Sequence, residues 1–326
     1  MLHNKYPEIE NFYQNSYCED ERMMRRPLEF IRCKDIISRY LRDGKMEIAD
    51  IGGETGAFSY WLAQMNNAVH LLDFTPLHIE QAKENGKKYN IELSSYTCAD
   101  ARKVPYKNEQ FYLVLEMGPL YHLQEQQDRM CCLYEAMRIL KNGGIVICEV
   151  IARYANLLEG FQRYLIDDEK LIKILDENLS TGKHLPGDTS YFTTAFFHTP
   201  ELIVDELRQA GFVNLNLIAV ESFANVLNVD GFINDERRKE LLLKYIRTTE
   251  SIPELFGISG HYIAVGVKCN PALYVFHCKN HCIFFVVPLH NICRKKSIVE
   301  MQSTSSLLFG KIQMRIIYIL RRNTFL

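Results

Sequence analysis

Between residues 46 and 152 short apolar runs alternate with amphipathic stretches in a steady beat. MEIADI (46–51) has the density of a buried strand, passes into the turn GGETG, and AFSYWLAQM continues with helical spacing. AVHLLDF (68–74) is a second strand with PLHIEQAKENGKKY a helix after it, and SSYTCAD is a third strand. FYLVLEMG (111–118) is a fourth, DRMCCLYEAMRIL a helix, and GGIVICEVIA (143–152) a fifth strand after a glycine turn. Strands alternating with helices predict an α/β fold with a mostly parallel, doubly wound sheet. Upstream, Leu28, Ile31, Ile36, Ile37 and Leu41 recur at helical spacing behind Pro27, so one or two helices are expected first.

The beat breaks after Arg153. Residues 153–200 hold a helical stretch, NLLEGFQRYLIDDEKLIKILDENLS, then a loop with a short strand, and an insertion of this kind between sheet elements is expected to cover a site as a helical lid. A capped helix follows, with Thr199 as N-cap, Pro200 in its first turn and Gly211 as its stop. VNLNLIAVES and HYIAVGVK then complete the sheet, separated by a helical piece at 232–249. The expected organisation is N-terminal helices over the site at 1–45, a sheet domain at 46–268, and an extension at 270–326.

Charge separates that extension from the rest. The whole chain carries −2, but residues 270–326 hold eight Lys or Arg against the single acid Glu300, about +7, which leaves about −9 on the preceding 269 residues. An acidic domain without a basic stripe argues against a nucleic-acid partner. The extension also lacks the alternating pattern of the domain and is expected to be poorly structured. Its His277, Cys278, His281, Cys282, His290 and Cys293 fit no standard zinc spacing, so no metal is expected. The opening MLHNKYPEIENFYQ has no basic region followed by an apolar one, and no run reaches 18 apolar residues, so a cytoplasmic protein without a membrane span is expected. In that setting the ten cysteines are expected to be reduced, with Cys98, Cys131, Cys132 and Cys148 as buried small hydrophobes.

Ligands of open α/β sheets bind outside the carboxyl ends of the strands. There the first strand delivers Asp50 ahead of Gly52, Gly53 and Gly56, the second ends in Asp73, and the third ends in Asp100 beside Ala101. Glycines let the backbone approach a ligand, a carboxylate at 73 reaches ribose hydroxyls, and one at 100 accepts from an adenine amino group. Asp50 disfavours a pyrophosphate, and the glycine spacing misses G-x-G-x-x-G, the dinucleotide fingerprint. A nucleoside with a positively charged amino-acid end fits this set, which points to S-adenosylmethionine.

The blocks EIADIGGETG (47–56), HLLDFTP (70–76), CADARKVPY (98–106), FYLVLEMGPLYHL (111–123) and ILKNGGIVICEV (139–150), in this order, resemble the class I S-adenosylmethionine-dependent methyltransferases. The resemblance spans about residues 20–268. More narrowly, GPLYHL and AFFHTPEL resemble a bacterial group of small methyltransferases with unassigned substrates. It implies a seven-stranded Rossmann-like sheet, Gly52 and Gly56 flanking the methionine moiety, Asp73 at the ribose, Asp100 and Ala101 at the adenine, and Met117 and Gly118 near the sulfonium. Asp50, Gly53 and Phe74 complete the expected cofactor set. Glu54 stands where the family turn carries glycine. Its cost depends on whether the position requires a positive φ.

Methyl transfer from a sulfonium needs alignment and a dry site, and a base only where the acceptor arrives protonated. Tyr121 and His122 are the candidates, joined by Tyr191 and His198 from the insertion, although His198 also suits a helix-start role. Tyr191, Phe192, Phe196 and Phe197 suit either a core or a cage over a small acceptor. The expected activity is methyl transfer to a small molecule. A non-catalytic binding module that kept the fold is the alternative, and an NAD-dependent oxidoreductase is a third reading.

Overall fold

The computed structural model describes residues 7–15, 26–185, 191–269, 273–278 and 281–286. It divides into two compact units, Met1–Lys268 and Cys269–Leu326. The first opens with helices α1 (Pro7–Asn15) and α2 (Pro27–Ser38), and then alternates: β1 (Glu47–Ile51), α3 (Ala57–Gln64), β2 (Ala68–Asp73), α4 (Pro76–Tyr89), β3 (Ser95–Cys98) and β4 (Phe111–Glu116). The short helix α5 (Pro119–His122), α6 (Gln126–Ile139) and β5 (Leu140–Ile151) follow.

The 153–200 insertion contains α7 (Ala155–Gln162), α8 (Glu169–Thr181) and a two-stranded ribbon, β6 (Lys183–His184) with β7 (Ala195–Phe196). The unit closes with α9 (Pro200–Gln209), β8 (Val213–Ala219), α10 (Asp230–Ile233), α11 (Glu236–Thr249), α12 (Pro253–Phe256) and β9 (His261–Val267). Thr199 caps α9 by accepting from the Leu202 amide at 3.3 Å, and Gly211 holds φ +96° just beyond the helix end.

Seven strands form one sheet in the order β3-β2-β1-β4-β5-β9-β8. β1 to β5 pair in parallel, and β9 runs antiparallel to both β5 and β8. This is the doubly wound, mostly parallel sheet expected from the alternation, with the seven Rossmann-like strands that the family resemblance implies. Apolar residues fill both faces, Val114, Leu133, Val146 and Leu207 on one and Ile36, Ile48, Leu71 and Ile263 on the other. The strand order reverses between β1 and β4, which opens a crevice at their carboxyl ends.

A buried ion-pair network fixes α2 against the sheet. Arg32 is fully buried; it donates to the Val220 carbonyl at 3.0 Å and pairs with Asp35 and Glu250, while Arg39 and Arg247 complete the ring around Asp35. Leaving the fully buried Arg32 unpaired would cost several kcal/mol, so its partners fix α2 against the sheet, while the half-exposed Arg247 adds little.

Several expectations change. β5 begins at Leu140 rather than after the glycines, with a register shift against β4 between Phe111 and Leu113. Cys98 is exposed, because β3 is the edge strand, and Cys131 is half-buried; Cys132 and Cys148 are buried. Of the 270–326 extension, the described residues form two antiparallel strands, β10 (Leu273–Cys278) and β11 (His281–Val286), which the sequence pattern did not reveal. Its His290 and Cys293 lie outside the described residues. Among the described residues no helix is long and apolar enough to cross a membrane.

Candidate active site

The turn after β1 is built by its glycines and two aspartates. Gly52 holds φ +74°, and a Cβ there would lie 2.6 Å from Pro119 Cδ, so only glycine fits between the turn and α5. Gly56 holds φ +92° at the start of α3 and faces Tyr60. Asp50 is fully buried beneath the turn, where it accepts from Ser59 Oγ at 2.6 Å; its Oδ1 has no hydrogen-bond partner among the described residues. Burial pushes its carboxyl up to about 6, with the Asp73 charge acting in the same direction against the Ser59 hydrogen bond.

Asp73 ties this turn to the next. Its Oδ2 accepts from the Glu54 amide at 3.0 Å, and its Oδ1 accepts from the Thr75 amide at 2.8 Å and sits 3.0 Å from His78 Nδ1. Glu54 holds φ +49°, the conformation for which glycine is suited. A side chain there costs roughly 1–2 kcal/mol.

Above the crevice lies a cleft partly open to solvent. Gly52, Glu54, Asp73, Phe74, Asp100, Ala101, Gly118 and His122 line it. A second lobe, lined in part by Gly52, Gly53, Glu54, Met117, Arg26, Glu29 and Glu149, shares Gly52 and Glu54 with the first. Three sequence-predicted site residues lie outside both linings. Asp50 braces the turn from below, Gly56 is buried against Tyr60, and Tyr121 is buried with its hydroxyl 3.4 Å from the Met117 carbonyl.

Asp100 is shared with Arg102, whose guanidinium donates to both its oxygens at 2.6–3.1 Å and reaches Asp128 at 3.1 Å. Arg102 itself lines the cleft and was not read from the sequence. Nor were Ile9 and Tyr13 of α1, which lie on the same cleft. Tyr13 packs edge-on against His78 and His122, and Phe192 of the insertion stacks on His122 with centroids 5.8 Å apart. Burial lowers the His122 imidazole to about 4, so it is neutral at physiological pH.

The other candidates of the insertion face elsewhere. Tyr191 donates to Asp168 at the N-cap of α8. His198 is fully buried with Nε2 3.3 Å from Glu206, which in turn holds Arg129; it belongs to this ion-pair core and not to the α9 cap. Phe196 and Phe197 are buried, Phe196 under the Arg129 guanidinium and Phe197 stacked on His184.

Beyond the second lobe lies a third chamber, reached past Arg26 and Glu29 and bordered by Glu159, Arg163 and Glu221. Buried Glu29, Glu221 and His261 bring ligand-type atoms within 4.8 Å of one another. The Glu221 carboxylate accepts from Ser259 Oγ, from the Gly260 and His261 amides and from His261 Nδ1, all within 3.1 Å. Protein donors thus reach both oxygens of that carboxylate.

The cleft suits S-adenosylmethionine in its donor set: a glycine turn whose backbone is bare at the surface, carboxylates at the ends of β2 and β3, an aromatic ring at Phe74, and both charge signs in the second lobe. Comparison with known proteins agrees. Residues 48–144 match a family of methyltransferase domains. The demethylmenaquinone methyltransferase of Tropheryma whipplei is 29% identical over 104 residues, 32% of this chain and 41% of that protein. The release factor glutamine methyltransferase of Bacillus anthracis is 34% identical over 93 residues, 27% of this chain and 33% of that protein. The chain therefore spans less than half the length of these curated relatives. Among solved structures, an S-adenosylmethionine-dependent methyltransferase of Methanosarcina mazei superposes with a TM-score of 0.50 at 17% identity, over 72% of this chain and 97% of the other. A phosphoethanolamine N-methyltransferase of Haemonchus contortus, solved with S-adenosylmethionine, gives 0.51 at 14% identity, over 80% and 60%. Residues 48–144 are thus similar to methyltransferase domains, and they lie within a seven-stranded Rossmann-like sheet whose fold is shared with those solved methyltransferases.

Proposed function

We propose that this protein transfers a methyl group from S-adenosylmethionine to a small-molecule acceptor. The observation that carries the reading is the cleft at the sheet's reversal point, where the glycine turn, Asp73 and Asp100 converge under α1. In this reading Asp73 takes the ribose, Phe74, Asp100 and Ala101 surround the adenine, and Gly52, Gly53 and Met117 enclose the methionine end. When bound, the donor supplies a methyl group on an already activated sulfonium. The protein's own contribution is alignment and exclusion of water, provided by α1 and Phe192 over the first lobe.

Where the acceptor carries a proton, the Tyr13 hydroxyl at the cleft receives it while passing its own to the neutral His122, which accepts at Nε2. Tyr121 supports the α5 turn beneath it. The acceptor enters from the side of Arg26 and Glu29, where the third chamber adjoins the second lobe, and the 153–200 insertion acts as the lid of that chamber. A concave, largely apolar cleft and the acidic domain charge favour a small molecule over RNA, DNA or a protein surface. The bare domain fold would also serve a non-catalytic binding module, and the strained Glu54 is the feature that favours that second reading.

The test is label transfer from methyl-labelled S-adenosylmethionine in a cell extract with the purified chain, followed by separation by size and class. The proposal expects label in the low-mass fraction. Label confined to protein or nucleic acid would overturn the acceptor class, and no enzyme-dependent label in any fraction, from a folded chain that binds the donor, would favour the binding module.

A further inference from the structure

Glu54 stands at the junction of the two cleft lobes. Together with Gly52 it lines the first lobe beside Asp73 and Phe74, and the second beside Glu29, Met117 and Glu149. Its φ of +49° is unfavourable for a residue with a side chain, and the amide it directs onto Asp73 at 3.0 Å is one a glycine would direct as well. The backbone therefore gains nothing from glutamate that glycine would not supply at lower strain. What glutamate adds is a carboxylate on a residue that lines both lobes, and strain retained at a cleft is a reason to look for what the side chain does there.

A methyl donor and its spent product differ at one place only. Transfer breaks the sulfur–methyl bond with both electrons staying on sulfur and forms a carbon bond to the acceptor, whose proton, where it has one, leaves to a base. The sulfonium thereby becomes a neutral thioether. The ammonium and carboxylate of the methionine end are common to both molecules, and Arg26, Glu29 and Glu149 in the second lobe offer them partners of either sign. The part of the ligand that must bridge the lobes, between adenosine and amino acid, is the sulfur.

We propose that Glu54 discriminates methyl donor from spent product: its carboxylate attracts the sulfonium and loses that attraction once the methyl group has left, which favours product release. The inference rests on the donor-site reading above. It also gives the departure from glycine a function, where the binding-module reading treats it as damage.

The experiment is isothermal titration of S-adenosylmethionine, S-adenosylhomocysteine and sinefungin, which carries an amine near the methyl position, into the full chain and its Glu54→Gln and Glu54→Gly variants. Glu54→Gln keeps size and removes charge, while Glu54→Gly also removes strain. For a partly exposed charge pair the preference for donor over product should fall about 2- to 5-fold in both variants. Homocysteine-form binding should hold nearly steady in Glu54→Gln, sinefungin should follow the donor, and in the wild type the preference should shrink as salt is raised. Equal weakening of donor and product would mean that Glu54 holds the methionine ammonium and would overturn the proposal, as would an unchanged ratio. Failure of the folded wild-type chain to bind any of the three ligands would instead overturn the donor-site reading, and this inference with it.

Discussion

The Tyr13 hydroxyl donates to His122 Nε2 over 2.8 Å, joining the N-terminal helix to the loop after β4 across 109 positions of sequence. The direction follows from the other ring nitrogen, because His122 Nδ1 lies 3.3 Å from the Thr194 carbonyl, which only accepts. The neutral imidazole therefore carries its proton on Nδ1 and accepts at Nε2. One side chain is thus held from three segments, α1, α5 and the 153–200 insertion.

Removing that hydroxyl should loosen α1 without disturbing the sheet. Tyr13→Phe is expected to lower unfolding free energy by only about 0.5–1.5 kcal/mol, the net worth of one hydrogen bond. Amide exchange should nevertheless rise in residues 7–15 and leave β1 and β4 protected. Unchanged exchange in α1 would show that packing of Ile9 and Phe12 holds the helix without the bond.

Gly52 offers a sharper steric test. Gly52→Ala places a methyl group 2.6 Å from Pro119 Cδ at a positive φ, so α5 must shift or the turn must refold. A loss of roughly 1–3 kcal/mol in stability is expected from the strain. Because α5 carries His122, donor binding should weaken as well. Urea melts and titration of the variant check both, and a variant as stable as the wild type would mean that the turn is softer than its geometry implies.

His261 sets a pH dependence. Burial lowers its affinity for a proton, but the charges of Glu29 and Glu221, the hydrogen bond to Glu221 and the more distant Glu149 outweigh that and raise it to about 9. The native state then holds the proton more tightly than the unfolded chain, so the stabilisation is complete below about pH 6.5 and is lost as pH rises through about 9. Full protonation linkage over that shift is worth roughly 3 kcal/mol. Denaturant melts at pH 6, 7.5 and 9.5 should therefore show the wild type's advantage over His261→Gln shrinking with pH. An advantage independent of pH would mean a neutral His261 in the native protein.

The sheet was legible because apolar runs, glycine turns and amphipathic helices repeat with the period of a parallel α/β fold, and strand ends carry Asp73 and Asp100 at fixed places in that rhythm. Asp50 is legible as a carboxylate at the end of β1 but not in its orientation: one residue from a turn it can face a ligand or brace the backbone from below, and only packing against Ser59 decides. Tyr13, Ile9 and Arg102 reach the cleft by tertiary approach, which leaves no local period in the sequence. The Glu29–Glu221–His261 cluster likewise joins α2, the end of β8 and the start of β9, which no spacing reveals. His198 was misread because its neighbour Thr199 does cap a helix, while its own side chain turns into the core.

The most direct test of the account is isothermal titration of S-adenosylhomocysteine into the full chain, with Asp73→Ala beside it and circular dichroism confirming that both are folded. The account predicts micromolar or tighter binding by the wild type. Loss of the charged acceptor at residue 73, worth roughly 1.5–3 kcal/mol, should weaken it about tenfold or more. A folded wild type that binds no S-adenosylhomocysteine, or a folded Asp73→Ala variant that binds equally well, would contradict the account.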